Sequence, residues 1–135
     1  MLQIFRKSYF PVAWVILLHV LLLFPDREFT ERKLIVIPHL DKVVHFGLYF
    51  ILTGSWMIFL NLKGDIIPQK KRNRDLLIIF LAVLDGLLIE YLQQSKWIQR
   101  DFDWYDVLFD GIGAVAGVLA ASYLFSKFWA QKKPL

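Results

Sequence analysis

Four apolar runs, Tyr9–Phe24, Val43–Leu60, Leu76–Leu92 and Val107–Phe125, occupy more than half of a 135-residue chain. Nothing else in the sequence restricts the fold as much. A helix that crosses the hydrocarbon core of a bilayer needs about 20 residues, with a range of about 17–25. The second and fourth runs meet that length, and the first and third reach it by borrowing flanking residues. Four core helices of a water-soluble domain need a polar outer face. A chain that is 57% hydrophobic and 21% charged, with a mean hydropathy of +0.48, does not have enough of one. The pattern predicts an all-α membrane protein, a four-transmembrane-helix bundle. Its single domain covers 1–135, with spans at about 9–24, 43–60, 76–94 and 105–126.

The chain has no cysteine, which excludes disulfides, thiolate catalysis and Cys-based metal sites. The first run follows Arg6 and Lys7, as a signal peptide's apolar region does, but "LLLFPDRE" offers no small-residue cleavage site. An uncleaved first span is the expectation. A pI near 9.4 suggests nucleic acid only where basic residues form a solvated face. Here they lie in short connections between spans, so no nucleic-acid partner is expected.

Those connections alternate in charge. Arg6, Lys7, Lys63, Lys70, Lys71, Arg72, Arg74, Lys127, Lys132 and Lys133 fall on one side. Arg27, Arg32, Lys33, Lys42, Lys96 and Arg100 fall on the other. The positive-inside rule then places both termini and the 61–75 loop in the cytoplasm. Gly64 and Pro68 break that loop before its basic cluster, which suits anionic lipid. "LIVIPHL", Leu34–Leu40, is too short to cross and is expected on the membrane surface. Trp97, Trp104 and Tyr105 mark the outer interface, and Phe128 and Trp129 the inner one. Gly113 and Gly117 form a small-xxx-small stripe with Ala120 and Ala121 beyond, which brings helix backbones close.

With that topology, the start of span two, the end of span three and the start of span four share the outer edge. Each carries ionisable residues. Asp41, His45 and Tyr49 are spaced i, i+4, i+8 on one helix face. Glu90, Gln93 and Gln94 close span three, and Asp103, Asp106 and Asp110 open span four, with Arg100 between. His19 reaches toward the same region from span one. Charged groups inside spans face the bundle interior and mark function by default. Simpler readings stand beside each. Asp41 is also a candidate N-cap. His45 suits a satisfied interior histidine bonded to Asp41 or Glu90. Asp106 answers a helix dipole. Arg100 suits a surface pair with Asp101 or Asp103, and Glu90 a buried partner of Arg100 or His45. Asp85, mid-span, costs about 2.5–3.5 kcal/mol on insertion scales. It points about 140° away from Glu90, so a structural hydrogen bond to another span is expected there.

In order along the chain, "LDKVVHFGLYFIL", "GLLIEYLQQ", Arg100 and "DWYDVLFDGIGAVAG" resemble the VanZ-like family of small bacterial membrane proteins. The matching positions are Asp41, Lys42, His45, Phe46 and Tyr49, then Gly86, Glu90 and Gln93, then Arg100. Asp106, Gly113 and Gly117 follow, with Asp110 where the family usually has Asn. The resemblance covers roughly residues 40–120. Asp110 in place of Asn adds a charge to the cluster, and Asp85 occupies a usually uncharged slot. The resemblance implies a four-span protein of the bacterial cytoplasmic membrane. The family is named for a member linked to teicoplanin resistance and carries no established reaction.

Three functions follow as expectations. In the first, the protein handles an anionic headgroup of a membrane lipid or lipid-linked envelope precursor at the outer leaflet. Arg100 holds the anion, Glu90 and His45 carry protons, and Asp41, Tyr49, Gln93, Asp106 and Asp110 line the ligand site. In the second, the protein is a membrane-embedded hydrolase or transferase using Glu90 and His45. A divalent metal suits these donor types, but no H-E-x-x-H motif is present and Ser55 and Ser95 lack partners at a catalytic spacing, so no cofactor is assigned. In the third, the protein is a non-catalytic subunit or assembly factor with protein partners in the membrane, its polar network fixing helix register.

Overall fold

In the computed structural model of the chain, the described residues are 9–24, 39–64, 68–98 and 100–128. They form four helices, α1 (Tyr9–Leu22), α2 (Leu40–Lys63), α3 (Pro68–Gln93) and α4 (Trp104–Phe128). Helices α2 and α4 are each long and apolar enough to cross a membrane. Arg6, Lys7, the 34–38 part of the expected surface segment, Trp129, Lys132 and Lys133 lie outside the described residues.

α1 stops at Leu22, short of the end of its run, whereas α2, α3 and α4 overrun theirs because backbone hydrogen bonding continues after hydropathy falls. α2 takes in Asp41 and Lys42 before its apolar stretch and Asn61 to Lys63 after it. α3 starts at Pro68, eight residues before the expected span, and winds through the basic cluster. Proline suits a first helical position, since its missing N–H has no partner there anyway. Asp41 is not the N-cap of α2. His39 holds that position, at φ 62°, without a side-chain cap, and Asp41 follows within the first turn.

The closest pairing is α4 on α2, and the glycine stripe explains it. A Cβ on Gly113 would strike the Phe46 carbonyl oxygen, and one on Gly117 would strike the Phe50 carbonyl oxygen and Thr53 Oγ1. The Thr53 hydroxyl sits 3.0 Å from Tyr49 O on its own helix and 2.9 Å from Ala114 O across the interface. α1 closes the other side. Leu18 and Leu22 pack with Leu48, Tyr49, Leu52 and Ile89, Trp14 Nε1 donates to Leu48 O at 2.9 Å, and Gln93 Nε2 donates to Leu22 O at 2.9 Å. The outward faces are apolar: Ile16, Leu76, Phe80 and Leu119 are all exposed.

Gly117→Val should therefore lower the thermal transition of the purified protein sharply, because its Cβ would strike the Phe50 carbonyl, which is backbone, and the Thr53 hydroxyl, which is held by two carbonyls. Gly47, with nothing within 4 Å of an added Cβ, should accept alanine with an unchanged or slightly raised transition. Equal losses from both substitutions would contradict this packing.

Candidate polar site at one end of the helices

The register that seats Gly113 under Phe46 also brings the N-terminal turns of α2 and α4 face to face. Lys42 and His45, three residues apart, lie one turn above the other on α2. Asp106 and Asp110, four apart, do the same on α4. Lys42 Nζ donates to Asp103 Oδ2 at 2.7 Å, to Asp106 Oδ1 at 3.2 Å and to Asp41 Oδ2 at 3.3 Å. One turn deeper, His45 Nδ1 lies 2.9 Å from Asp110 Oδ1. Asp110 fits there because α3 presents Gly86, where an added Cβ would come within 2.6 Å of Asp110 Oδ2.

Asp103 joins three elements. Its Oδ1 accepts the Tyr105 N–H at 2.8 Å, so it is the N-cap of α4. Its own N–H donates to Glu90 Oε2 at 3.1 Å, which ties α4 to the end of α3. The Lys42 ammonium on its other oxygen holds its carboxyl below the usual carboxylate range.

His45, Glu90 and Asp110 are buried almost completely, and Asp106 is 5% exposed. Of these three buried carboxyls only Asp106 meets Lys42. Three of their polar atoms lack a hydrogen-bond partner: His45 Nε2, Glu90 Oε1 and Asp110 Oδ2. A carboxylate only accepts, so an ionised Asp110 requires a proton on Nδ1, and in the neutral imidazole Nε2 is then left with an open lone pair. Nε2 faces Asp106 Oδ2 at 3.9 Å. One ligand atom from each of His45, Glu90 and Asp106 lies within 4.8 Å of the others, a set able to hold a metal ion. The second such set, Asp41, Asp103 and Asp106, surrounds the Lys42 ammonium.

Above this group opens a polar cavity of about 410 Å³, lined by Asp41, Gln93, Arg100, Asp101, Phe102, Asp103 and Asp106. Trp97 and Trp104 are exposed close by in sequence. The Arg100 backbone N–H is bonded to Gln93 O at 3.0 Å, and among the described residues its guanidinium makes no ion pair. The expected pairs of Arg100 with Glu90, Asp101 or Asp103 are not formed. His45 takes Asp110 rather than Asp41 or Glu90.

Tyr49 and His19 belong to a different group. The Tyr49 hydroxyl donates to Asp85 Oδ2 at 2.9 Å, and His19 Nε2 lies 3.1 Å from Asp85 Oδ1. Asp85 thus bonds two other helices, as its angular distance from Glu90 predicts. His19 Nδ1 lies 2.9 Å from Val15 O, one turn back on its own helix, which fixes the ring against Asp85.

Compared with protein-family models, with curated proteins and with solved structures, the chain matches none. The site is therefore read from its own residues. Lys42, which the i, i+4, i+8 face led by Asp41 leaves aside, sits at its centre. Its i+3 and i+7 spacing to His45 and Tyr49 is the signal that marks it.

Lys42→Met should destabilise the protein by about 2 kcal/mol. That is less than the 3–5 kcal/mol of a fully buried pair, because Asp41 and Asp103 stay partly hydrated. The Asp103 carboxyl is held low when folded, so its contribution is present above pH about 4 and fades as pH falls further. Thermal unfolding against pH should show that acid-side loss in the parent and a flatter profile in Lys42→Met.

Proposed function

We propose that this chain is a multi-pass protein of the bacterial inner membrane, a four-span bundle with both termini cytoplasmic. It handles the anionic headgroup of a lipid-linked envelope precursor at the outer leaflet. One observation carries the reading: a polar cavity at the helix ends, with an arginine on its wall whose charge no described carboxylate takes up. Lys42 cannot serve, since three carboxylates already surround it. A phosphate on Arg100 gains a charge-assisted, bidentate hydrogen bond, while Trp97 and Trp104 suit the headgroup layer. The exposed apolar side chains on all four helices suit contact with acyl chains. The order of motifs that resembles the VanZ-like family supports the same envelope setting.

Native mass spectrometry from mild detergent should find a phosphate-bearing lipid on the parent protein. Tryptophan fluorescence in nanodiscs with and without a polyprenyl phosphate should give an affinity that Arg100→Gln weakens about tenfold or more. No lipid on the parent, or equal affinity in the variant, would overturn the reading.

The orientation has its own test. The chain has no cysteine, so Asp101→Cys and Lys70→Cys each introduce a single thiol. Impermeant maleimide added to intact cells should label the first and leave the second unlabelled until the membrane is opened. The reverse result would put the cavity on the cytoplasmic face.

A further inference from the structure

We propose that His45, Glu90 and Asp106 bind a borderline divalent transition cation of the Zn²⁺ or Mn²⁺ class, with Asp110 as the residue that positions His45. The inference goes beyond the headgroup reading and does not depend on it.

The first ground is the set of unpartnered atoms. Buried polar groups in folded proteins nearly always find a partner, and each exception requires a reason. Here His45 Nε2 and Glu90 Oε1 belong to side chains no more than 1% exposed, and both lack one. Each belongs to the same three-residue group, with a ligand atom within 4.8 Å of the others. Of the three other orphans among the described residues, Asp110 Oδ2 belongs to the carboxylate bonded to His45, and Asn61 Nδ2 and Ser122 Oγ belong to the far halves of α2 and α4. A network built only to fix helix register has no need to aim an imidazole lone pair and a carboxylate oxygen at one point.

The second ground is charge. Glu90, Asp106 and Asp110 are buried, and among the described residues Lys42 pairs with Asp106 alone of the three. Lys42 Nζ takes Asp106 through Oδ1 and leaves Oδ2 turned toward His45. Buried charges need pairing or a metal. A divalent ion between Nε2, Oδ2 and Oε1 supplies the positive charge that the lysine alone does not.

The third ground is geometry around the ligands. The His45 Nδ1–Asp110 Oδ1 bond, 2.9 Å long, is the carboxylate–histidine pairing that sets the tautomer and orientation of metal-bound histidines. Two ligands at about 2.1 Å on one ion stand about 3.4 Å apart at the tetrahedral angle, so Nε2 and Asp106 Oδ2, now 3.9 Å apart, need to close by about half an ångström. Glu90 brings its free oxygen in through its terminal torsion, which is broad, while Oε2 stays on the Asp103 N–H. One nitrogen with two carboxylates suits Zn²⁺ or Mn²⁺ better than an all-oxygen set for Mg²⁺ or Ca²⁺. The polar cavity includes Asp106 in its wall, which gives the ion a way in and leaves a coordination position for water or ligand oxygen.

The test uses the full chain in mild detergent, stripped with chelator, then titrated with Zn²⁺ and with Mn²⁺. Elemental analysis after desalting should find one ion per chain. Pulsed EPR of the Mn²⁺ form should show coupling to one histidine nitrogen. Glu90→Gln, which keeps shape and removes charge, should abolish retention, and Asp110→Asn should weaken it about tenfold to a hundredfold. Asp75→Asn, on the basic end of α3, should bind as the parent does. Should the variants fail to fold, the parent's stoichiometry and nitrogen coupling still decide. A parent that retains no ion, an ion without histidine coupling, or retention unaffected in a folded Glu90→Gln would each overturn the proposal. Arg100→Gln should keep the ion, so loss of headgroup affinity and loss of metal are separate results.

Discussion

The approach of α4 to α2 governs the rest of the molecule. Helices in lipid gain little from hydrophobic association, so their pairing relies on close packing and hydrogen bonds. Gly113 and Gly117 let the two backbones meet at Phe46 and Phe50, and Thr53 shares its proton across the seam. The Lys42–Asp103 and His45–Asp110 contacts span that same seam at 2.7 Å and 2.9 Å. Hydrogen bonds weaken steeply beyond their normal range. Anything that pushes the helices apart at the glycines therefore loosens the polar end as well.

The polar residues divide into two groups with different character. Asp85 is satisfied on both oxygens, by Tyr49 and His19, and links three helices. The group around Lys42 is satisfied only in its outer half. Its inner half, at His45, Glu90 and Asp110, keeps unpartnered atoms beneath a polar cavity. The first group has the completeness of a structural tie, and the second has spare bonding capacity at a place a ligand can reach.

Much of this was legible beforehand. The Asp41–His45 spacing, Glu90 in the last apolar turns of its run and the acidic opening of the fourth run all indicated one polar end. The acidic cluster, His45 and Glu90 do meet there. Partner choice was not legible. Asp110 lies 65 residues from His45, and nothing local decides that this carboxylate, rather than Asp41 or Glu90, takes Nδ1. In the sequence Lys42 is one basic residue among sixteen, and only the packing of α4 brings Asp103 and Asp106 to it. Asp41 has the composition of a cap, yet the helix begins a residue earlier, because His39 turns the chain through a left-handed conformation.

The amino-acid order by itself determined the helices, the two long apolar segments, the basic and polar ends and the glycine stripe, since each depends on hydropathy, periodicity or residue size within a few turns. Tertiary structure alone decided that Lys42 is enclosed by carboxylates and Arg100 is not. It also decided that Tyr49 leaves its helix-face companions for Asp85, and that His45 Nε2 and Glu90 Oε1 are left without partners beside Asp106. Those outcomes depend on the rotation and depth at which one helix meets another. A shift of one residue there turns a side chain by about 100°, which periodicity within a single helix does not register.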